Sequence, residues 1–190
     1  MSRIRKLLVA AASVAVVASV AAPASAAEQT FTDDRGFRGG FDIHSVRVVN
    51  TGDWVKIRTH HDNLRYGTTQ NGGVSVYINT IRHMNGPEFR FSGPVGSDGG
   101  YSLLKVRDWK PISGVSRNDC DADDYRFGVN YQRDVVSFAV TRGCLARAFD
   151  MPIRKLRVAV AASQNRAEGG MPRVDWAPKP RALYPAVPHN

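Results

Sequence analysis

The chain has 190 residues, 43% of them hydrophobic, and carries 26 Lys and Arg against 17 Asp and Glu, a formal net charge of +9. That length suits one domain with a core of its own and leaves little room for a second. The bases are scattered and Arg-rich, with no run of the kind that makes a nucleic-acid tail, so no specific nucleic-acid partner is expected.

The first 26 residues have the three parts of an export signal. Arg3, Arg5 and Lys6 form a positive start, Leu7 to Ala22 is an apolar run broken by two serines, and Pro23 leads into Ala24-Ser25-Ala26, a small-x-small site for signal peptidase. The run is too short and Ala-rich to cross about 30 Å of hydrocarbon comfortably, so a cleaved signal is favoured over a membrane anchor and no span is expected after cleavage. Cutting after Ala26 removes three bases and no acids, which leaves 164 residues with a net charge of +6. A basic exported protein meets anionic wall polymers, acidic polysaccharides and extracellular nucleic acid, and charge alone does not choose among them. It also simply favours solubility.

From Ala27 onward the dominant period is two. Val46 and Val48 alternate with Ser45 and Arg47, Asn50-Thr51-Gly52-Asp53 supplies turn chemistry, and Val55 and Ile57 alternate with Trp54, Lys56 and Arg58. This predicts a hairpin with one wet face. Further strands are predicted over Val74 to Asn79, Glu88 to Phe91, Tyr101 to Val106, Tyr125 to Tyr131, Val135 to Val140 and Leu156 to Ala162, each bounded by Gly, Pro, Asn or Asp. Strands at this spacing argue an all-β, antiparallel, jelly-roll-like sandwich over residues 27–170. Two cysteines, Cys120 and Cys144, are the only ones in the chain. In an oxidising compartment such a pair is most simply a disulfide, worth about 3 kcal/mol for a loop of some two dozen residues. After Gly170, Pro172, Pro178, Pro180, Pro185 and Pro188 argue against regular ladders, so residues 171–190 are expected to drape over the domain or trail off.

Several short motifs carry a resemblance. Asp33-Asp34-Arg35-Gly36, a Gly-rich gap, Asp42-Ile43 and the Val46-to-Ile57 hairpin, followed by Val76-Tyr77-Ile78-Asn79-Thr80, resemble exported bacterial β-sandwiches, a type that includes DOMON-like domains and family 9 carbohydrate-binding modules. Gly86-Pro87-Glu88-Phe89, Arg142-Gly143-Cys144-Leu145 and Asp175-Trp176-Ala177-Pro178 are similar to recurring features of secreted actinobacterial proteins. The resemblance implies a sandwich fold and a binding role. Asn79 stands where the type more often has aspartate, and no pair of aromatics matches the sugar-clamping tryptophans of the binding module.

Candidate chemistry is sparse. Asp33, Asp34 and Asp42 surround glycines that let the backbone fold tightly and form the first candidate calcium site, supported by the resemblance. Asn118-Asp119-Cys120-Asp121-Ala122-Asp123-Asp124 is a second oxygen-rich loop, without the Gly and terminal Glu of an EF-hand; its alternative is a solvated, disulfide-tied loop. His60 and His61 are neighbours on a strand and point to opposite faces, so they cannot jointly hold one metal; with Asp62 and His83 they are a candidate metal or acid-base site whose alternative is a solvated strand end. No serine sits in a Gly-x-Ser-x-Gly elbow, and no glycine-rich phosphate loop follows a strand. Trp109 and Trp176 are expected to cap the core. Arg47, Trp54, Lys56 and Arg58, on the wet face of the hairpin, are the candidate ligand-binding residues. The reading is a secreted, non-catalytic binding module for carbohydrate or an anionic cell-envelope polymer. Its alternatives are an envelope-associated structural protein without a small ligand and, after that, a hydrolase with an unrecognised site.

Overall fold

The computed structural model describes residues 27–34, 36, 39–67, 72–80, 86–97, 99–114, 120–165 and 171–189. The signal segment, His83 and Asn118-Asp119 therefore lie outside the described residues. Among those described, no helix is long and apolar enough to cross a membrane.

The wet-faced hairpin forms where the alternation puts it, as β2 (Ile43–Thr51) and β3 (Trp54–His61), with Val48 opposite Ile57 and Thr51 opposite Trp54. The turn is the two-residue Gly52-Asp53, and Gly52 adopts the left-handed φ of 56° that such tight hairpins favour in glycine. Asn50 is not part of the turn. It is buried, and its amide donates to the Val187 carbonyl at 3.0 Å. Ahead of the hairpin, β1 (Glu28–Thr32) pairs with β2, and on the other side β9 (Val135–Thr141) pairs with β3 and β8 (Tyr125–Asn130) with β9. The result is an antiparallel five-stranded sheet in the order β1-β2-β3-β9-β8.

The second sheet runs β11-β10-β4-β5-β6-β7, from β4 (Gly72–Asn79), β5 (Phe89–Val95), β6 (Ser102–Arg107), β7 (Lys110–Gly114), β10 (Lys155–Gln164) and β11 (Arg173–Ala177), with β12 (Val187–Pro188) also paired to β10. Every predicted strand is present. The unpredicted strands β1, β7 and β11 sit at sheet edges, and β12 spans only two residues. The β6–β7 hairpin turns on Asp108 and Trp109, both at positive φ, a pairing the sequence disguises because neither is glycine. β7 is exposed at all five positions and holds Pro111, features that discourage further strand pairing at a sheet edge.

The tail departs from expectation. Residues 173–177 pair with β10, from Val160 opposite Ala177 to Gln164 opposite Arg173. Pro172 and Pro178 flank this strand and interrupt no ladder, so the prolines bound a strand instead of excluding one. Residues between β11 and β12, which include Pro180 and Pro185, are irregular, whereas Pro188 lies in β12 opposite Lys155.

The sheets enclose one core. Val46, Val48, Val55 and Ile57 are fully buried and face Val74, Val76, Phe89, Phe91, Val158 and Val160. Phe91 and Phe138 meet edge to face across the interface at 5.1 Å. Gly93 points inward, and the ring of Phe127 lies against it; a Cβ there would come within 2.4–2.6 Å of three ring atoms. A short helix, α1 (Arg142–Phe149), bridges the sheets. Thr141 caps it by accepting from the Cys144 amide at 3.1 Å, and Asp150 closes it in a left-handed conformation. Cys144 in this helix is bonded to Cys120, which stands before a single 3-10 turn at Ala122–Asp124 that leads into β8.

Candidate functional site

The outer face of the five-stranded sheet has no second layer over it in the described structure. Alternation sends Arg47 and Val49 of β2, Lys56, Arg58 and His60 of β3, Ser137 and Ala139 of β9, and Arg126 and Gly128 of β8 to this face. Register then sets them in rows. Arg47 is opposite Arg58, Arg58 opposite Ser137 and Ser137 opposite Gly128; one step along, Val49, Lys56, Ala139 and Arg126 form the next row.

Three adjoining hollows lie on the face. The one between Lys56, Arg58 and Arg126, floored by Ser137, Ala139 and Gly128, is about 230 Å³. The next, of about 210 Å³, is bounded by Glu28, Arg47, Lys56 and Arg58. The third, of about 260 Å³, runs from Arg47 and Arg58 past His60 to Arg133 and Asn130. Their linings hold five Lys and Arg (Arg47, Lys56, Arg58, Arg126 and Arg133) and one carboxylate, Glu28. Glu28 accepts from the Arg47 guanidinium at 2.8 Å, which holds its carboxyl below the usual range. Exposure makes that pair energetically slight.

All four predicted ligand-binding residues stand on this face, where Trp54 has a neighbour from β8. The Arg126 guanidinium carbon lies 5.1 Å from its ring centroid, so a cation of the protein covers this aromatic surface. Arg126 and Arg133 were not picked out from the sequence. Their signal was present in the alternation of Arg126 with Tyr125 and Phe127, but nothing local indicates that their hairpin lies beside β3.

The candidate calcium residues are brought near one another, and each has different surroundings. Asp34 is exposed, Asp42 is buried with its Oδ2 3.4 Å from His44 Nε2, and Asp33 accepts from the Tyr184 hydroxyl at 3.5 Å. Burial, and then the neighbouring Asp175, push the Asp33 carboxyl up to about 6. Asp175, 142 positions away in sequence and outside the candidate set, accepts from the Ile43 amide at 2.8 Å, and burial raises its carboxyl as well. Among the described residues no three His, Cys, Asp or Glu groups converge so as to hold a metal ion. In the second acidic segment, Asp124 is engaged by Thr141 Oγ1 at 2.6 Å and Arg147 Nη2 at 2.7 Å, so its carboxylate ties β8 to β9 and α1. Asp121 and Asp123 are exposed.

His60 faces solvent and His61 the interior, as alternation requires. His61 Nδ1 lies 3.2 Å from the Phe41 carbonyl, which can only accept, so Nδ1 carries the proton and Nε2, 2.7 Å from Thr59 Oγ1, can accept from it. Burial lowers the ring's pKa to about 4.

Trp109 and Trp176 do not cap the main core. They pack with Tyr77 on the outer surface of the second sheet, over Ala159 and Ala161, with Tyr77 and Trp176 stacked at 5.5 Å and Trp109 edge-on to Trp176 at 5.8 Å. The two small alanines leave room for large rings there, and alternation along β10 and β4 turns these positions away from the core. No family model matches the chain, and no curated protein matches it in sequence.

Proposed function

We propose that the protein is an exported binding module, without catalysis of its own, that holds an anionic polymer of the cell envelope on the open face of its five-stranded sheet. The observation that carries this is the charge on that face: five cations and one carboxylate line three contiguous hollows. A lone polar face needs no such excess for solubility, since solubility is served equally by mixed charge. Hollows lined by one sign of charge concentrate counter-charged ligands and steer their approach. The disulfide is in keeping with an oxidising compartment, as the signal-like segment would require. Neutral sugar recognition draws less support, because the one tryptophan on the face is already covered by Arg126.

The test is retention of the protein, cleaved after Ala26, on immobilised polyanion and on a neutral polysaccharide, at low and high salt. Retention on the polyanion that falls as the Debye length shrinks from about 10 Å at 0.1 M to about 3 Å at 1 M is expected, with none on the neutral matrix. Reversing Lys56 and Arg58 to Glu should abolish it. Unchanged retention of that variant, or salt-insensitive binding to the neutral matrix, would refute the assignment.

A further inference from the structure

We infer that the polymer is a phosphodiester whose charges recur every six backbone bonds, of the poly(alditol phosphate) kind, lying along β3 in the trough between β3 and β8; this deepens the functional reading above and rests on it. Three features of the trough point there. The first is spacing. Lys56, Arg58 and His60 occupy alternate positions of one strand and all face out, so their Cα positions repeat at about 6.8 Å. A phosphate chain joined through a three-carbon alditol has six backbone bonds between phosphorus atoms, as many as two peptide residues, which gives an extended repeat of about 6.6–7.2 Å. Successive phosphates can therefore meet successive side chains of β3 without either chain leaving its extended form.

The second feature is width. The walls stand on β3 and β8, with only β9 between them, so they are about 9.6 Å apart at the backbone. Lys56 and Arg58 line one side and Arg126 the other, while the floor is Ser137, Ala139 and Gly128. The small floor residues leave depth, and the long side chains narrow the opening. Such a cleft suits a thin, unringed link better than a pyranose or a nucleobase.

The third is the character of the cations and the floor. Four of the five bases lining the face are Arg, whose planar fork grips two oxygens of a phosphate at once. Single-stranded nucleic acid shares the six-bond repeat, but its binding grooves use aromatic platforms on which bases stack. The two aromatics that line the trough, Phe127 and Phe138, turn their rings into the core, where they pack on each other and on Gly93 and Phe91, and Trp54 is covered by Arg126. The shared phosphodiester chemistry thus favours the chain without bases.

The experiment is a titration of the mature protein with poly(glycerol phosphate), polygalacturonate and oligo-dT at equal charge concentration in about 0.1 M salt. Poly(glycerol phosphate) should bind at least about tenfold more tightly than either competitor, the ratio one lost charge-assisted contact produces. Gly128→Glu puts a carboxylate into the floor at a position where an added Cβ meets nothing within 4 Å, and should weaken that binding about tenfold or more with an unchanged melting temperature. Ser137→Glu, on the neighbouring strand, is the companion variant should the first fail to fold. Equal or tighter binding of polygalacturonate or oligo-dT would overturn the phosphodiester inference while leaving an anionic-polymer module standing. Full-strength binding by a folded Gly128→Glu or Ser137→Glu protein would overturn the trough as the seat. Failure to bind any of the three polymers would overturn both this inference and the functional reading beneath it.

Discussion

Replacing Cys120 and Cys144 together with alanine tests how the basic face is held in place. The two half-cystines are 24 positions apart, so the bridge closes a loop of about 25 residues, and the chain-entropy relation gives about 3.5 kcal/mol of lost constraint on the unfolded chain. That loop contains β8 and β9, two of the five strands of the binding sheet. A domain of this size shifts by roughly 2–4 °C per kcal/mol, so calorimetry of the double variant should show the melting temperature lowered by about 7–14 °C. Both sulfurs are buried, so lost packing adds to the loss and does not offset it. Because β8 is an edge strand tied down otherwise by the contacts of Asp124 with Thr141 and Arg147, the trough should stay formed below the transition. Polyanion retention at 20 °C should accordingly persist in the variant. A melting temperature lowered by less than about 4 °C would refute the reasoning, since it would require the unfolded loop to be constrained already without the bond.

Gly93→Ala forces a methyl group into the ring of Phe127 and should cost about 1–3 kcal/mol by overpacking, read from denaturant unfolding. Adding Phe127→Leu should recover part of that cost, whereas additive losses would mean the ring does not pack on that backbone. His61 has a folded pKa of about 4, below its ordinary value of about 6.5, so the unfolded chain binds the extra proton and His61 lowers stability as pH falls from 6.5 to 4. Asp33, raised to about 6, has the opposite sign over roughly pH 4–6. In an Asp33→Asn protein the melting temperature should therefore rise between pH 4 and 6.5 more steeply than in the parent, and an equal or smaller rise would contradict the assignment. Trp54→Ala removes the cation–π contact with Arg126 and should cost about 0.5–1 kcal/mol without abolishing polyanion retention; lost retention in a folded variant would return Trp54 to the ligand site.

The two faces of the first hairpin were legible in the residues alone. Strict alternation commits Val46, Val48, Val55 and Ile57 to one side whatever packs on them, and so leaves Arg47, Lys56 and Arg58 on the other. The Cys120–Cys144 bond was legible for a similar reason, because a lone pair of cysteines offers a single intramolecular pairing. Everything that depends on which strands become neighbours was decided by the tertiary structure. Arg126 and Arg133 reach the basic face only because β9 pairs with β3, some 80 residues apart in sequence, and Asp175 reaches Asp33 only because a strand of the proline-bounded tail joins β10. Trp109 and Trp176 look like core residues by size, yet the alanines of β10 give them a place to pack on the opposite side of the sheet. Alternation is a local property that each strand carries with it. Strand neighbours are selected by the burial of the whole core, and no short stretch of this sequence contains that information.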